Sequence, residues 1–315
     1  MRIAHPIRGQ NDLCFLFASA LLGLLFSISA AAAAQFSFAA LGDIPYQEDE
    51  EPRFVRIIAQ MNREPLAFAM HVGDFKAAYM ACTDETFVQR RDWFALSHHA
   101  FVFVPGDNEW SDCWRPRGDR RDPLERLAKL RELFFPEDKT LGQRPLAVER
   151  QTDRGYPEHL RWQIQDVLFA TLNAPGFDNN RRMPEESKRR SAAQLDWTRA
   201  AFRIAREKKL PGLVIALQAN VFTGSSAWRE LVDVLAAEAQ AYAGEVLIVH
   251  GDTHWFRFDQ PLVDRKTGRA VTNVTRLEVF GSPFVDWVYV TVRTEEGRVR
   301  FSVAQGSNVV TERNR

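Results

Sequence analysis

Four Gly-Asp pairs constrain the fold of this chain more than any other feature, because each one follows an apolar run of β-type residues. The pairs are Gly42-Asp43, Gly73-Asp74, Gly106-Asp107 and Gly251-Asp252. Between the runs, apolar residues recur at helical spacing, as in Phe54, Ile57, Ile58 and Met61. Strands that alternate with helices predict an α/β fold with a largely parallel sheet. In such folds, polar side chains after the strands gather at one sheet edge, where ligands bind.

The Gly-Asp pair points to a functional site only because it occurs four times. Asp and Gly are ordinary turn residues, so a single Gly-Asp pair is weak evidence for a site. Four pairs after four β-type runs instead indicate several carboxylates that converge on one edge. Buried negative charges without basic partners are unfavourable. The simplest partner for them is a divalent metal ion or a pair of such ions.

Composition restricts the class of protein. The chain has 315 residues, of which 45% are hydrophobic and 11% aromatic, so it is long and apolar enough to build a buried core. This composition excludes an intrinsically disordered chain. Its 41 basic and 41 acidic side chains give no net charge. We therefore expect no broad electrostatic binding of nucleic acid, whereas a small basic pocket for a phosphate ester is compatible with this balance.

The N-terminal 34 residues resemble a targeting segment. Arg2 and Arg8 precede an apolar run, 13–28, and the small residues of 29–34 follow it. This order is typical of a secretory signal peptide, and the run is short for a membrane span. We predict cleavage near Ala34, a single domain over 35–315, and a secreted or periplasmic protein without a membrane segment. An uncleaved anchor is the alternative.

Export changes the interpretation of the cysteines. Cys14 would leave with the signal peptide, so Cys82 and Cys113 remain. Two thiols in an oxidising compartment usually form one disulfide, and we predict that bond here. Two buried free thiols are the alternative.

The middle of the chain has a less regular pattern. Residues 137–157 hold Gly, Pro and charged side chains, which predicts a long loop. The runs 162–165 and 167–172 predict a hairpin with Asp166 near its turn. A helix is predicted over 191–208.

The Gly-Asp motifs resemble, in order and spacing, those of the calcineurin-like metallophosphoesterase superfamily. The motifs are Leu41-Gly-Asp-Ile-Pro-Tyr46, His71-Val-Gly-Asp-Phe-Lys76, Pro105-Gly-Asp-Asn-Glu-Trp110 and His250-Gly-Asp-Thr-His254. The resemblance covers about 36–260 and is greatest to a divergent secreted branch with Gly-Asp-Asn-Glu-Trp and His-Gly-Asp-Thr-His. It implies a four-layer α/β/β/α sandwich, in which helices flank two mixed β-sheets.

The same resemblance implies a set of metal ligands. In this set Asp74 would bridge two metals. The set is Asp43, Asp74, Asp107, Gln218, Asp252 and His254. Gln218 stands where the family has a lone His, and Asp252 replaces another His. Asn108 would be the ligand in place of Asp107 if the turn shifts by one residue.

These departures from the family pattern replace imidazole ligands by oxygen ligands. Oxygen-rich sites suit Mn²⁺, Mg²⁺ or Ca²⁺ better than Zn²⁺. We therefore expect two divalent metal ions, with Mn, Mg or Ca favoured over Zn. Iron is a further candidate, although the position of the tyrosine ligand in purple acid phosphatases is Ala77 here.

The implied function is that of a secreted metal-dependent hydrolase that cleaves a phosphomonoester or phosphodiester by a metal-bound hydroxide. Asn108 occupies the position of a catalytic His and cannot act as an acid, so Glu109, His250 or His71 would protonate the leaving group. Lys76 and Asn108 are the expected contacts to a small phosphorylated substrate, and we expect a monomer. The alternative is a degenerate, non-hydrolytic member that binds metal or a phosphorylated ligand.

Overall fold

The computed structural model describes residues 34–116 and 118–308. The predicted signal peptide therefore lies outside the described residues, apart from Ala34 in the first strand. These described residues belong to one compact unit. Within the described ranges, no helix combines the length and the apolar character that crossing a membrane requires.

The first sheet contains six strands in the described part of the chain, in the order β13-β12-β1-β2-β3-β4. Its strands are β1 (Ala34–Leu41), β2 (Phe68–His71), β3 (Ala100–Phe103), β4 (Leu141–Gly142), β12 (Val288–Glu295) and β13 (Arg298–Gln305). The three central strands β1, β2 and β3 are parallel. β12 and β4 pair antiparallel at either side. The carboxyl ends of β1, β2 and β3 consequently meet at one edge.

The second sheet contains seven strands in the same part of the chain, in the order β10-β11-β9-β8-β7-β6-β5. Its strands are β5 (Glu149–Gln151), β6 (Tyr156–Ile164), β7 (Val167–Thr171), β8 (Gly212–Ala216), β9 (Glu245–His250), β10 (Arg257–Asp259) and β11 (Val274–Glu278). Strands β7, β8, β9 and β11 are parallel to one another. The outer strands β5, β6 and β10 are antiparallel.

Two of the six described helices begin with a side-chain cap, and three have proline in the first turn. The helices are α1 (Glu51–Met61), α2 (Asp84–Phe94), α3 (Pro123–Phe134), the kinked turn α4 (Gly176–Asn179), α5 (Pro184–Glu207) and α6 (Arg229–Gln240). The Thr83 hydroxyl accepts the Thr86 amide at the start of α2, and Asp122 accepts the Leu124 amide at the start of α3. Proline in the first turn of α1, α3 and α5 suits a position whose N–H has no helical partner.

Two apolar clusters hold the layers together. The larger one joins side chains of both sheets with α1, α2 and α3. Phe38 and Phe68 of the first sheet meet Trp162 and Phe169 of the second, and the ring centroids of the contacting pairs lie 5.1–5.7 Å apart. The smaller cluster packs α5 and α6 on the outer face of the second sheet. The predicted sandwich of two mixed sheets flanked by helices is confirmed.

Three details of the predicted secondary structure were wrong. Both sheets are mixed rather than largely parallel, because hairpins and chain ends add antiparallel strands at their edges. Residues 137–157 are not a continuous loop, since they contribute β4 and β5. Helix α5 begins at Pro184, seven residues earlier than predicted, because its first turn carries charged side chains that disguise the apolar period.

Candidate functional site

The polar residues predicted as metal ligands lie after strands of both sheets. Asp43, Asp74 and Asp107 follow β1, β2 and β3, and Gln218 follows β8. Asp252 and His254 follow β9. Because the parallel strands end at a common edge, these turns come together across the sandwich.

The turns have an unusual backbone. Asp43, Asp74, Asp252 and His254 have φ values of 53°, 58°, 82° and 62°. Non-glycine residues adopt this left-handed region at an energetic cost, which a fold retains when surrounding contacts fix the conformation. Hydrogen bonds supply such contacts here, since the Asp43 amide donates to the Gly73 carbonyl at 2.9 Å and the Ser282 amide donates to the Asp43 carbonyl at 2.9 Å.

Asp43 lies at the centre of the cluster. Its carboxylate accepts the Asp252 amide at 3.0 Å. The Gln218 amide nitrogen lies 3.5 Å from Asp43 Oδ1 and 3.2 Å from Asp74 Oδ2, so it separates two like charges. His254 Nε2 lies 3.6 Å from Asp43 Oδ1. Five of the six predicted ligands are therefore joined by direct contacts around Asp43.

Asp107 joins the cluster next to Gly176, the first residue of α4. A Cβ placed on Gly176 would lie 2.8 Å from both Asp252 Oδ1 and Gln218 Oε1, and 3.0 Å from Asp107 Oδ1. Three side-chain oxygens thus converge on a space that a larger residue would fill. Gly176 was not predicted as part of the site, although it follows the end of β7 as the Gly-Asp turns follow their strands.

Tyr46, the last residue of the first Gly-Asp motif, makes hydrogen bonds in the site that the sequence did not indicate. Its hydroxyl donates to Asp74 Oδ2 at 3.0 Å and accepts from Asn108 Nδ2 at 2.9 Å. Burial, together with the negative charge of Asp74, raises the pKa of Tyr46 well above its usual value, so the hydroxyl keeps its proton. Tyr46 thereby fixes the orientation of the Asn108 side chain.

Glu109 and Lys76 are buried beside the cluster. Glu109 Oε1 accepts the amides of Gly106 and Asp74, which ties the turns after β2 and β3 together. The Lys76 ammonium donates to the carbonyls of Ala77 and Met80 at 3.1 and 3.0 Å. Burial raises the pKa of Glu109 to about 7 and lowers that of Lys76 to about 8. Neither side chain is exposed to solvent.

The predicted histidine acids have backbone partners instead of contacts to the carboxylates. His250 Nδ1 lies 2.8 Å from the Gly251 carbonyl, and its ring packs near Phe222. His71 Nε2 donates to the Ile44 carbonyl at 3.0 Å. Burial lowers the pKa of His250 to about 3 and that of His71 to about 4, so both rings are neutral near pH 7.

The predicted disulfide is present. Cys82 and Cys113 are bonded across a sequence separation of 31 residues. Cys82 ends the loop that follows β2, and Cys113 ends the turn that follows β3. The bond therefore connects the two segments that carry Asp74 and Asp107.

Burial of the carboxyl groups and the repulsion between them dominate the electrostatics of the site. Burial raises the pKa values of Asp43 and Asp74 well above the usual range. Burial also raises the pKa values of Asp107 and Asp252 to about 6, and Asp252 adds repulsion at Asp107. These carboxyl groups would recover their usual acidity beside a cation.

The donors fit a divalent metal in chemistry, although no three His, Cys, Asp or Glu side chains of 34–116 and 118–308 converge into a ready metal cage. His254 Nδ1 lies 2.8 Å from the Ser282 carbonyl, which can only accept. In the neutral ring, Nδ1 therefore holds the proton and Nε2 directs its lone pair toward Asp43. Gln218 Oε1 is buried and has no hydrogen-bond partner. The Nε2 lone pair of His254 and the unpartnered Oε1 of Gln218 both lie among carboxylates, and such a set of donors suits a cation.

Comparison with solved structures identifies the fold. No protein-family model matches the chain, and no curated protein matches it significantly. A dimetal phosphatase from Danio rerio is similar at a TM-score of 0.57 and 12% identity, over 86% of this chain and 96% of that one. The purple acid phosphatase PPD1 from yellow lupin matches at a TM-score of 0.47 and 13% identity, over 87% and 52% of the two chains. The chain therefore shares the fold of the dimetal phosphatase, in agreement with the metallophosphoesterase fold that the Gly-Asp motifs implied.

Proposed function

We propose that the protein is a secreted, metal-dependent phosphoesterase that hydrolyses a small phosphomonoester or phosphodiester. One observation carries the proposal: the buried carboxylates of Asp43 and Asp74 and the partly buried carboxylates of Asp107 and Asp252 lie around the Gln218 amide, whose Oε1 is unpartnered, at the shared edge of two sheets. Such a cluster is costly without a cation, and its oxygens are typical ligands of hard divalent metals. The fold shared with a dimetal phosphatase supports the same function.

The ligand set would be Asp43, Asp74, Asp107, Gln218, Asp252 and His254. Two divalent ions, with Mn, Mg or Ca favoured over Zn, would supply Lewis-acid charge to the phosphoryl oxygens and acidify a water molecule. The hydrogen bonds from the Asp252 amide and to Ser282 would hold Asp43 and His254 in place.

The remaining polar groups would position the substrate. Asn108 Nδ2 is held by the Tyr46 hydroxyl and offers a neutral donor beside Asp74. Arg115 forms an ion pair with Asp112 at 2.8 Å and stays partly exposed, so it can approach an anionic ester from solvent. The ammonium of Lys76 is bound to backbone carbonyls. Lys76 would therefore add positive charge to the site from its buried position.

Metal binding and turnover, measured on the same protein, test the proposal. Bound metal is determined after purification without chelators, and hydrolysis of p-nitrophenyl phosphate and bis-p-nitrophenyl phosphate is measured with Mn²⁺, Mg²⁺ and Ca²⁺. We expect metal-dependent turnover that Asp74→Asn lowers at least about a hundredfold, as expected for the loss of a first ligand. Asp166→Asn, at the exposed turn of the β6–β7 hairpin, is the matched control and retains turnover.

A non-hydrolytic protein that binds metal or a phosphorylated ligand is the second candidate. The observation that favours it is Asn108, an amide that cannot protonate a leaving group at the position of the catalytic His. Tight metal binding without turnover of either ester supports this candidate. The absence of both metal binding and turnover contradicts both candidates.

A further inference from the structure

The most exposed large hydrophobic side chains in the described part of the chain are all aromatic. They are Phe177, Trp255, Phe284 and Tyr79, which are 73%, 70%, 67% and 63% exposed. We call these four residues the aromatic rim. Large apolar side chains with this much exposure are unfavourable in water, so a group of them commonly marks a binding surface.

Each member of the aromatic rim is attached to the carboxylate site. Trp255 directly follows His254, and Phe177 directly follows Gly176. The Phe177 amide also donates a hydrogen bond that lowers the pKa of Asp252. The Tyr79 hydroxyl donates to the Tyr46 carbonyl at 2.9 Å.

Phe284 is attached through the turn before it. Its amide donates to the Gly281 carbonyl at 2.9 Å. A Cβ on Gly281 would lie 2.6 Å from the His254 ring and 2.8 Å from Asp43 Cβ, so this turn packs directly against the site. The four rings therefore emerge from four different turns that surround the same carboxylates.

The backbone of Phe177 indicates that its exposure is imposed by the fold. Phe177 has φ 56° and ψ −95°, a conformation that a bulky residue adopts only at a cost. Hydrophobic burial does not offset this cost, since the ring is the most exposed of the four. A ligand that covers the ring would supply the missing contact.

Positive charge accompanies the aromatic rim. The Arg115 guanidinium lies 5.9 Å from the Phe177 ring centroid and 5.6 Å from that of Trp114. Arg182 lies 3.8 Å over the same Trp114 ring. Aromatic faces beside guanidinium groups are suited to a ligand that is both planar and anionic.

We infer that the aromatic rim binds the organic part of the substrate, and that the preferred substrate is a phosphoester of a planar aromatic group rather than of a small aliphatic alcohol. This inference rests on the proposed function, because the ester phosphate would occupy the carboxylate site. The rim would stack on the aromatic group, and Arg115 would attract the phosphate from the side of Phe177.

Binding of stable analogues tests the inference without turnover. Titration calorimetry in the presence of Mn²⁺ compares phenylphosphonate with methylphosphonate. We expect phenylphosphonate to bind at least about tenfold more tightly, and Phe177→Ala or Trp255→Ala to reduce that preference about threefold to tenfold. Trp255→Phe should restore most of the preference, because it keeps an aromatic face.

Leu96→Ala is the matched control. Leu96 is also an exposed apolar residue, at 45%, but it lies before the start of β3 and so at the opposite edge of the sheet. We expect it to leave both affinities unchanged.

Two results overturn the inference: equal affinities for the two phosphonates, or an effect of Phe177→Ala and Trp255→Ala no larger than that of Leu96→Ala. Binding to phosphatidylcholine vesicles that depends on Trp255, without a preference for phenylphosphonate, would assign the rim to a lipid surface instead. Failure of the proposed function is separately visible as the absence of metal-dependent ester hydrolysis by the unmodified protein.

Discussion

At the scale of single residues, Gly176 gives the most direct test of the oxygen cluster. An added methyl group would lie within 3.0 Å of Asp252 Oδ1, Gln218 Oε1 and Asp107 Oδ1. Gly176→Ala must therefore displace at least one proposed ligand. We expect metal affinity to fall about tenfold to a hundredfold, which is the range found when supporting groups of metal sites are changed. Calorimetric titration with Mn²⁺ measures this affinity.

Gly155→Ala separates this steric effect from a general cost of replacing glycine. Gly155 has φ 79°, and a Cβ there would meet no atom within 4 Å. Its replacement should cost about 1 kcal/mol of stability through backbone strain and leave metal affinity unchanged. Equal metal affinities of the two variants would contradict the role assigned to Gly176.

At the scale of elements, the disulfide connects the turns that follow β2 and β3. A bond that closes a loop of about 30 residues removes about 3–4 kcal/mol of unfolded-state entropy. We expect the double variant Cys82→Ala, Cys113→Ala to lose up to this amount of unfolding free energy in urea denaturation. Dithiothreitol should destabilise the unmodified protein and leave the double variant unaffected. Equal stability of the two proteins would show that the bond contributes little.

The elements also show which features of the site can be read from sequence. The four Gly-Asp turns are local patterns, so Asp43 and Asp74 are recognisable from the residues beside them. The role of Tyr46 depends on a hydrogen bond to Asn108, 62 residues away, and that of Gly176 depends on oxygens from three other turns. No local pattern encodes such contacts, because they arise only when distant strands assemble into a sheet and the two sheets pack.

At the scale of the whole molecule, buried neutral histidines contribute to the acid limit of stability. Burial lowers the pKa of His71 and His159 to about 4 and that of His250 to about 3. In the unfolded chain a histidine takes up its proton below about pH 6.5. Between about pH 6.5 and 4 these three histidines therefore bind more protons in the unfolded state than in the native state, and their contribution to the free energy of unfolding falls as pH falls. The carboxyl groups of the site, whose pKa values are raised, contribute in the opposite direction.

His159 provides the test of this limit, because it lies in β6 with Nδ1 2.6 Å from Gln151 Oε1 and contacts no proposed ligand. One buried histidine contributes a slope of up to about 1.4 kcal/mol per pH unit. We expect His159→Gln to be less stable at pH 7 but to lose stability less steeply between pH 6.5 and 4. His98→Gln, at an exposed position, is the control, and urea denaturation at each pH measures all three proteins. Parallel curves for the unmodified protein and His159→Gln would contradict the assignment, because the carboxyl groups of the site titrate identically in both.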